Sequence, residues 1–313
     1  MESGAPSSFI STSQNSKIRQ DAYDHIASQT GCRKARDSFE CLRSLDVTTL
    51  QAAHVATYEL PKKALAFANF PTAYGPVTLN GDDFLPTTPS ILIQSGKYAN
   101  IPIISGSNLD EGTWFVADPD SSLDIIAFLN SERPGLALDL SPIRTIQLLK
   151  LYPNTPSLGS PYGTGNELFG RDKQYKRSAA IIGDILFTAP RRQFTRHATS
   201  RGQAVWSYLF SQPSGGAPEY GVSHASEIAY VFGGLKSDAT TGDKDVSNKM
   251  MQYWINFATV LDPRPDDSNL PVWPGYGSSR SMIRIKANDY TIIPDTFRDS
   301  ENSYITSKFL VEN

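Results

Sequence analysis

The sequence of 313 residues predicts an α/β fold, with buried strands layered against helices. Two observations carry that prediction. Near-continuous apolar runs of strand length occur at IPIISGSN (101–108) and AVWSYLF (204–210). Long stretches with helical spacing lie between and after them, which argues against an all-α or an all-β chain.

Each element follows from local pattern. Residues 1–16 are rich in Ser and Gly and read as a loop. Helical patterns come next at about 17–30, 37–44 and 47–57, the second behind Asp37, a residue suited to an N-cap. The run 101–108 is Ile-rich and ends in Gly and Asn, as a strand buried on both faces would, and Pro102 is tolerable as a first strand residue. Further helical stretches cover 141–151 and 172–198, and the second strand follows at 204–210. In VSNKMMQYWINFATVL, Met250, Trp254, Phe257 and Leu261 recur at steps of four, three and four, the stripe of an amphipathic helix facing a core. MIRIKANDYTIIP predicts a short hairpin around Ala287–Asp289. No internal repeat or low-complexity linker divides the chain, whose length is enough for one large domain or two modest ones.

Composition limits the function classes. An apolar fraction of 39% with 19% charged residues suits a folded chain. A net charge of −3 offers no basic face to nucleic acid or anionic lipid. No apolar run approaches the roughly 20 residues of a transmembrane segment. The first residues lack the basic-then-apolar pattern of a signal peptide, and no N-x-S/T sequon is present. Cys32 and Cys41 fit either a disulfide, stabilising by about 2–3 kcal/mol, or two reduced buried thiols; spacing leaves both open. Without a second Cys or His pair at ligand spacing, neither zinc nor another metal is implied, and no organic cofactor either.

In an open α/β sheet, chemistry gathers on loops beyond the carboxyl ends of strands. After the first strand comes SNLDEGTWF, with Asp110 and Glu111; after the second comes EYGVSHASEIAYVFGG, with His224 and Glu227. An acid followed by a histidine is the chain order of an α/β-hydrolase triad downstream of its serine. The carboxylate would accept the imidazole Nδ1–H and hold the tautomer while Nε2 handles the proton. Asp110 and Glu111 fit equally well as helix N-terminal acids, and a lone loop histidine is more often a packing residue. His25, His54 and His197 fall within helical patterns and read as structural.

Six stretches, in order, sharpen this reading: GCRKARDSFECLRSL, VTLNGDDFLPTTPSILIQSGKYANIPIISGSNLDEGTWF, KRSAAIIGDILFTAPRR, SHASEIAYVFG, WINFATVLDPRP and VWPGY. Together they resemble the C-terminal part of the type B carboxylesterase/lipase family, most nearly its secreted fungal lipases of the Candida rugosa type. The resemblance implies that 1–313 is the C-terminal portion of a single domain with a partial α/β-hydrolase fold, the N-terminal strands and the nucleophile elbow missing. It implies Glu111 as triad acid, His224 as triad base, Trp114 and Phe115 lining an acyl-binding tunnel, and Glu227 supporting the histidine loop. For Trp114 and Phe115, ordinary core packing remains the alternative, as a helix N-terminal acid does for Glu227. A Cys32–Cys41 disulfide, an ester substrate and secretion are implied in the same way. Ala225 departs from the serine that follows the histidine in the fungal lipases, which puts one supporting hydrogen bond in doubt.

The serine itself is what the sequence lacks. A nucleophile elbow is G-x-S-x-G because side chains at the flanking positions would clash in its strained turn. Around Ser3 those positions hold Met1 and Ala5; Ser223 and Ser279 have the upstream glycine but not the downstream one. In the family an M-x-S-G stretch recurs downstream of the elbow, and MESG aligns there, so Ser3 is expected to be a structural loop serine. The Gly-rich oxyanion loop is absent too, since FGG (232–234) lies beyond the histidine. The expectation is a carboxylic ester hydrolase relative that is inactive as an isolated chain, with a hydrophobic sheet edge left unpaired and open to aggregation. The alternative is a non-catalytic pseudo-enzyme or a cholinesterase-like binding module.

Overall fold

Two aspartates start the second and third helices. A computed structural model describes residues 2–8, 12–13, 17–57, 76–116, 118–130, 141–213, 215–264 and 269–310, in two units. The smaller unit comprises Phe9–Pro89 and Ser131–Leu138. It holds β1 (Thr12–Ser13), α1 (Lys17–Gln29), α2 (Ser38–Arg43), α3 (Val47–Ala56) and β2 (Val77–Thr78). The Asp37 carboxylate accepts from the amides of Phe39 and Glu40, and Asp46 does the same for Thr48 and Thr49, satisfying helix donors that have no partner within the helix. Cys32, just past α1, and Cys41, on α2, form a disulfide. Residues 1–16 are not loop throughout: Thr12–Ser13 pairs in parallel with Val77–Thr78. A two-residue strand is too short to leave a periodic signal.

The larger unit comprises Met1–Ser8, Ser90–Asn130 and Asp139–Asn313. Along the chain come α4 (Pro89–Ser95), β3 (Ile103–Asn108), α5 (Ser122–Leu129), α6 (Pro142–Leu151), α7 (Tyr175–Gly183) and α8 (Ala189–Ser200). Then follow β4 (Val205–Phe210), α9 (Ile228–Val231), α10 (Thr241–Val260), β5 (Ser281–Ile285), β6 (Ile292–Pro294) and α11 (Asp299–Lys308). Four strands form one sheet in the order β3-β4-β5-β6. The first three run parallel, with Ile103 opposite Val205 and Asn108 opposite Phe210. β6 closes the expected hairpin antiparallel to β5, over a turn bridged by Lys286 and Asp289. Among the described residues β3 pairs only with β4, so it is an outer strand.

The apolar runs read as they do because both faces of the sheet are covered. Tyr208 and Phe210 of β4 join Val246, Met250 and Tyr253 of α10 in one core cluster, while Val205 meets Ala198 of α8 in another. Trp254 and Phe257 pack on the α10 cluster as their spacing predicts. Leu261 does not. It is 54% exposed and ends the helix in a left-handed conformation (φ 61°), its amide donating to the Phe257 carbonyl. The stretch expected as one helix over 172–198 runs from Tyr175 to Ser200, with a π turn at Asp184–Thr188 where α7 passes into α8. Pro190 supplies no N–H, and its ring crowds the carbonyl four residues back, which favours a wider turn there.

Candidate active site

β3 ends at Asn108, and the chain turns at once into a single 3-10 turn, Glu111–Trp114. Gly112 allows that turn to lie on α7, since a Cβ there would fall 2.0 Å from the Ala179 carbonyl oxygen. The Glu111 side chain, 2% exposed, is thereby aimed back over the end of β3. Its Oε1 accepts from the Asn108 amide at 2.6 Å, and its Oε2 lies 2.8 Å from His224 Nδ1. A carboxylate held by backbone on one oxygen and by imidazole on the other is fixed in orientation and fixes the ring in turn. Neither Asp110 nor Glu111 serves the turn that follows as a capping side chain.

His224 arrives on the loop between β4 and α9. Its side chain is 22% exposed, and Nε2 has no hydrogen-bond partner among the described residues. Two rings hold the imidazole: Phe115 edge-on with centroids 5.2 Å apart, and Phe187 of the π turn at 4.8 Å. Both phenylalanines are buried. Trp114 is half-exposed and packs edge-on against Tyr220. Ala225, next to the histidine, adopts a left-handed conformation (φ 65°).

Glu227 is fully buried and, although at the N-cap of α9, makes no side-chain capping bond. Its carboxyl instead accepts from Ser3 Oγ and from Asn108 Nδ2. Asn108 therefore bridges two carboxyls, Glu111 through its backbone and Glu227 through its side chain, and also donates to the Ser223 carbonyl at 2.7 Å. Burial, and then the nearby charge of Glu111, push the Glu227 carboxyl above the usual range. Ser3, itself buried at φ 48°, directs its hydroxyl to Glu227. Ser223 is buried beside the histidine with its carbonyl engaged, and Ser279 lies far along the chain, bonded to Ser281. His25, His54 and His197 lie within α1, α3 and α8.

Sequence reasoning thus names Glu111, His224, Phe115 and Glu227 of this group and misses Asn108 and Phe187. Asn108 had a faint signal, a polar residue closing a buried apolar strand; Phe187 had none beyond its helical register. Among the described residues no three His, Cys, Asp or Glu side chains are grouped to hold a metal ion, and no helix is long and apolar enough to cross a membrane.

The profile of the carboxylesterase family matches residues 1–298. The chain belongs to the carboxylesterase family. Within that family it is similar to a secreted triacylglycerol lipase, LIP1, of Gibberella zeae, at 31% identity over 294 residues, which are 92% of this chain and 47% of that protein. It is similar to lipase 4 of Diutina rugosa at 32% identity over 312 residues, covering 95% of this chain and 51% of that one. The crystal structure of Aspergillus niger EstA aligns over 99% of this chain and 58% of its own, with a TM-score of 0.74 and 24% identity. EstA is an α/β-hydrolase, and the likeness establishes that fold for the sheet and helices described above. The chain spans about half the length of the curated relatives it matches.

Proposed function

We propose that this chain is the acid–histidine portion of a serine ester hydrolase, the C-terminal part of one carboxylesterase domain, and that it does not turn over esters alone. One observation carries the reading: Glu111 Oε2 stands 2.8 Å from His224 Nδ1, while Nε2 has no hydrogen-bond partner among the described residues. In that geometry Glu111 fixes the tautomer and stabilises the imidazolium, and Nε2 is the nitrogen that takes a proton from a serine hydroxyl as it attacks an ester carbonyl. Nε2 then returns the proton to the leaving alkoxide, and water releases the acid by the same route. Phe115 and Trp114 are read as acyl-side aromatics, and Glu227 as support for the histidine loop.

Ser3 is read as structural, because its hydroxyl is committed to Glu227 and no glycine-flanked serine occurs in the sequence. Secretion is supported by the word "secreted" in the names of two relatives and by the Cys32–Cys41 bond, which suits an oxidising compartment. The purified chain is expected to show no hydrolysis of p-nitrophenyl esters and no labelling by a fluorophosphonate, since loss of a triad serine costs on the order of 10⁶ in kcat. Turnover that a fluorophosphonate blocks, mapped to any serine of this chain, overturns the proposal.

A further inference from the structure

Asp110 grips the histidine loop with both its backbone and its side chain. The Asp110 amide donates to the Val222 carbonyl at 3.0 Å, and the Val222 amide donates back to Asp110 Oδ2 at 2.9 Å. The other carboxylate oxygen accepts from Ser160 Oγ and from the Tyr162 amide, each at 2.8 Å. The side chain is 2% exposed, so these bonds are made away from bulk water. Gly221 makes room for the arrangement: at φ 57°, ψ −134° it occupies a conformation open only to glycine, and a Cβ there would lie 2.4 Å from Oδ2.

What Asp110 holds is a lever of two residues. Val222 is buried in the core cluster with Phe210 and Tyr230, and His224 stands two positions further on. On the other side, Asp110 is joined directly to Glu111. The residue beside the acid thus fixes the backbone two residues before the base. From this geometry we infer that Asp110 is a positioning residue for the acid–base pair, locking the His224 loop in register with Glu111. The inference rests on the role proposed above for Glu111 and His224.

Asparagine has one acceptor oxygen where Asp110 uses two, so whichever way its amide turns, an NH₂ faces a buried N–H. The readout is the downfield proton NMR signal of His224 Nδ1–H, assigned by its loss in Glu111→Gln. The wild-type chain should show this signal, and Ser160→Ala, which removes a donor from Oδ1 alone, should retain it. Asp110→Asn should lose or broaden it and speed Val222 amide exchange tenfold or more. A merely structural role for Asp110 would lower stability and leave the signal in place. A wild-type signal that persists unaltered in folded Asp110→Asn overturns the inference and spares the Glu111–His224 pair. Absence of the signal from the wild type sinks the pair and this inference with it. Should Asp110→Asn not fold, hydrogen exchange of the wild type in a mild urea series decides. Val222 protection and the His224 signal should fade together; a signal that outlasts Val222 protection overturns the inference.

Discussion

Glu227 is a residue whose ionisation the site resists. Its side-chain donors, Ser3 Oγ and Asn108 Nδ2, are neutral, and the carboxylate of Glu111 adds repulsion. Burial first, and Glu111 second, raise its pKa against the help of those donors. A carboxyl raised in the folded state binds more protons there than in the unfolded chain. Its contribution is therefore intact below the unfolded value of about 4.3 and declines as pH rises through and beyond it. Urea titrations of wild type and Glu227→Gln should agree within about 1 kcal/mol near pH 4, with the variant gaining on wild type toward pH 7. A wild type that gains on Glu227→Gln as pH rises would place the carboxylate among stabilising charges and refute this account. The placement of Glu111 and His224 on loops beyond successive strands was legible in the sequence, and the family resemblance singled the two out as a pair. Asn108 was not, because its bridging depends on the register of β3 against the loop at Ser223, a relation between residues 115 positions apart.

Among the elements, the π turn at Asp184–Thr188 bears most directly on the site. It puts Phe187 against both the His224 ring and Phe115, and Asp184 at its start is anchored by Arg298 through two bonds of 2.6 and 2.7 Å. Periodicity located this helix within a few residues at each end and passed over the π turn, since one wider turn hardly alters a 3.6-residue pattern across 26 positions. The short helices α4, α5, α9 and α11 were passed over as well, whereas α2, with only six residues, was marked by its Asp37 cap. Phe187 is fully buried, so Phe187→Ala should cost about 3–5 kcal/mol in urea unfolding. It should also open one face of the imidazole, seen as faster carbethoxylation of His224 by diethyl pyrocarbonate. Unchanged modification kinetics in the folded variant would mean that Phe187 does not shield the ring.

Across the larger unit, one buried charge cluster ties its layers together. Asp295, just after β6, accepts from Arg191 through two bonds of 2.8 Å, from Arg192 Nε at 2.7 Å and from Tyr276 at 2.8 Å, while Arg191 also reaches Ser207 on β4. Helix α8, strand β4 and the segment after the hairpin thus meet on one fully buried carboxylate. Adjacent arginines in a helical pattern ordinarily suggest a solvated face, and only the distant Asp295 explains their burial; nothing in spacing announces a partner more than 100 residues away. Burial opposes ionisation of Asp295, but the charges and hydrogen bonds of Arg191 and Arg192 outweigh it and hold the carboxyl far below its usual range. The folded state therefore binds fewer protons at this site, and its stabilisation is present above about pH 4 and lost as pH falls below that. Asp295→Asn leaves two buried guanidiniums with no countercharge at this position and should cost about 3–5 kcal/mol at neutral pH. The variant should also have a shallower loss of stability between about pH 4 and pH 2 than wild type. Because Glu227 acts with the opposite sign from pH 4 upward, the two are separable on one set of urea curves: Asp295→Asn flattens the acid limb, and Glu227→Gln lifts the neutral one. An acid limb of unchanged slope in Asp295→Asn would assign acid sensitivity to carboxylates outside this cluster.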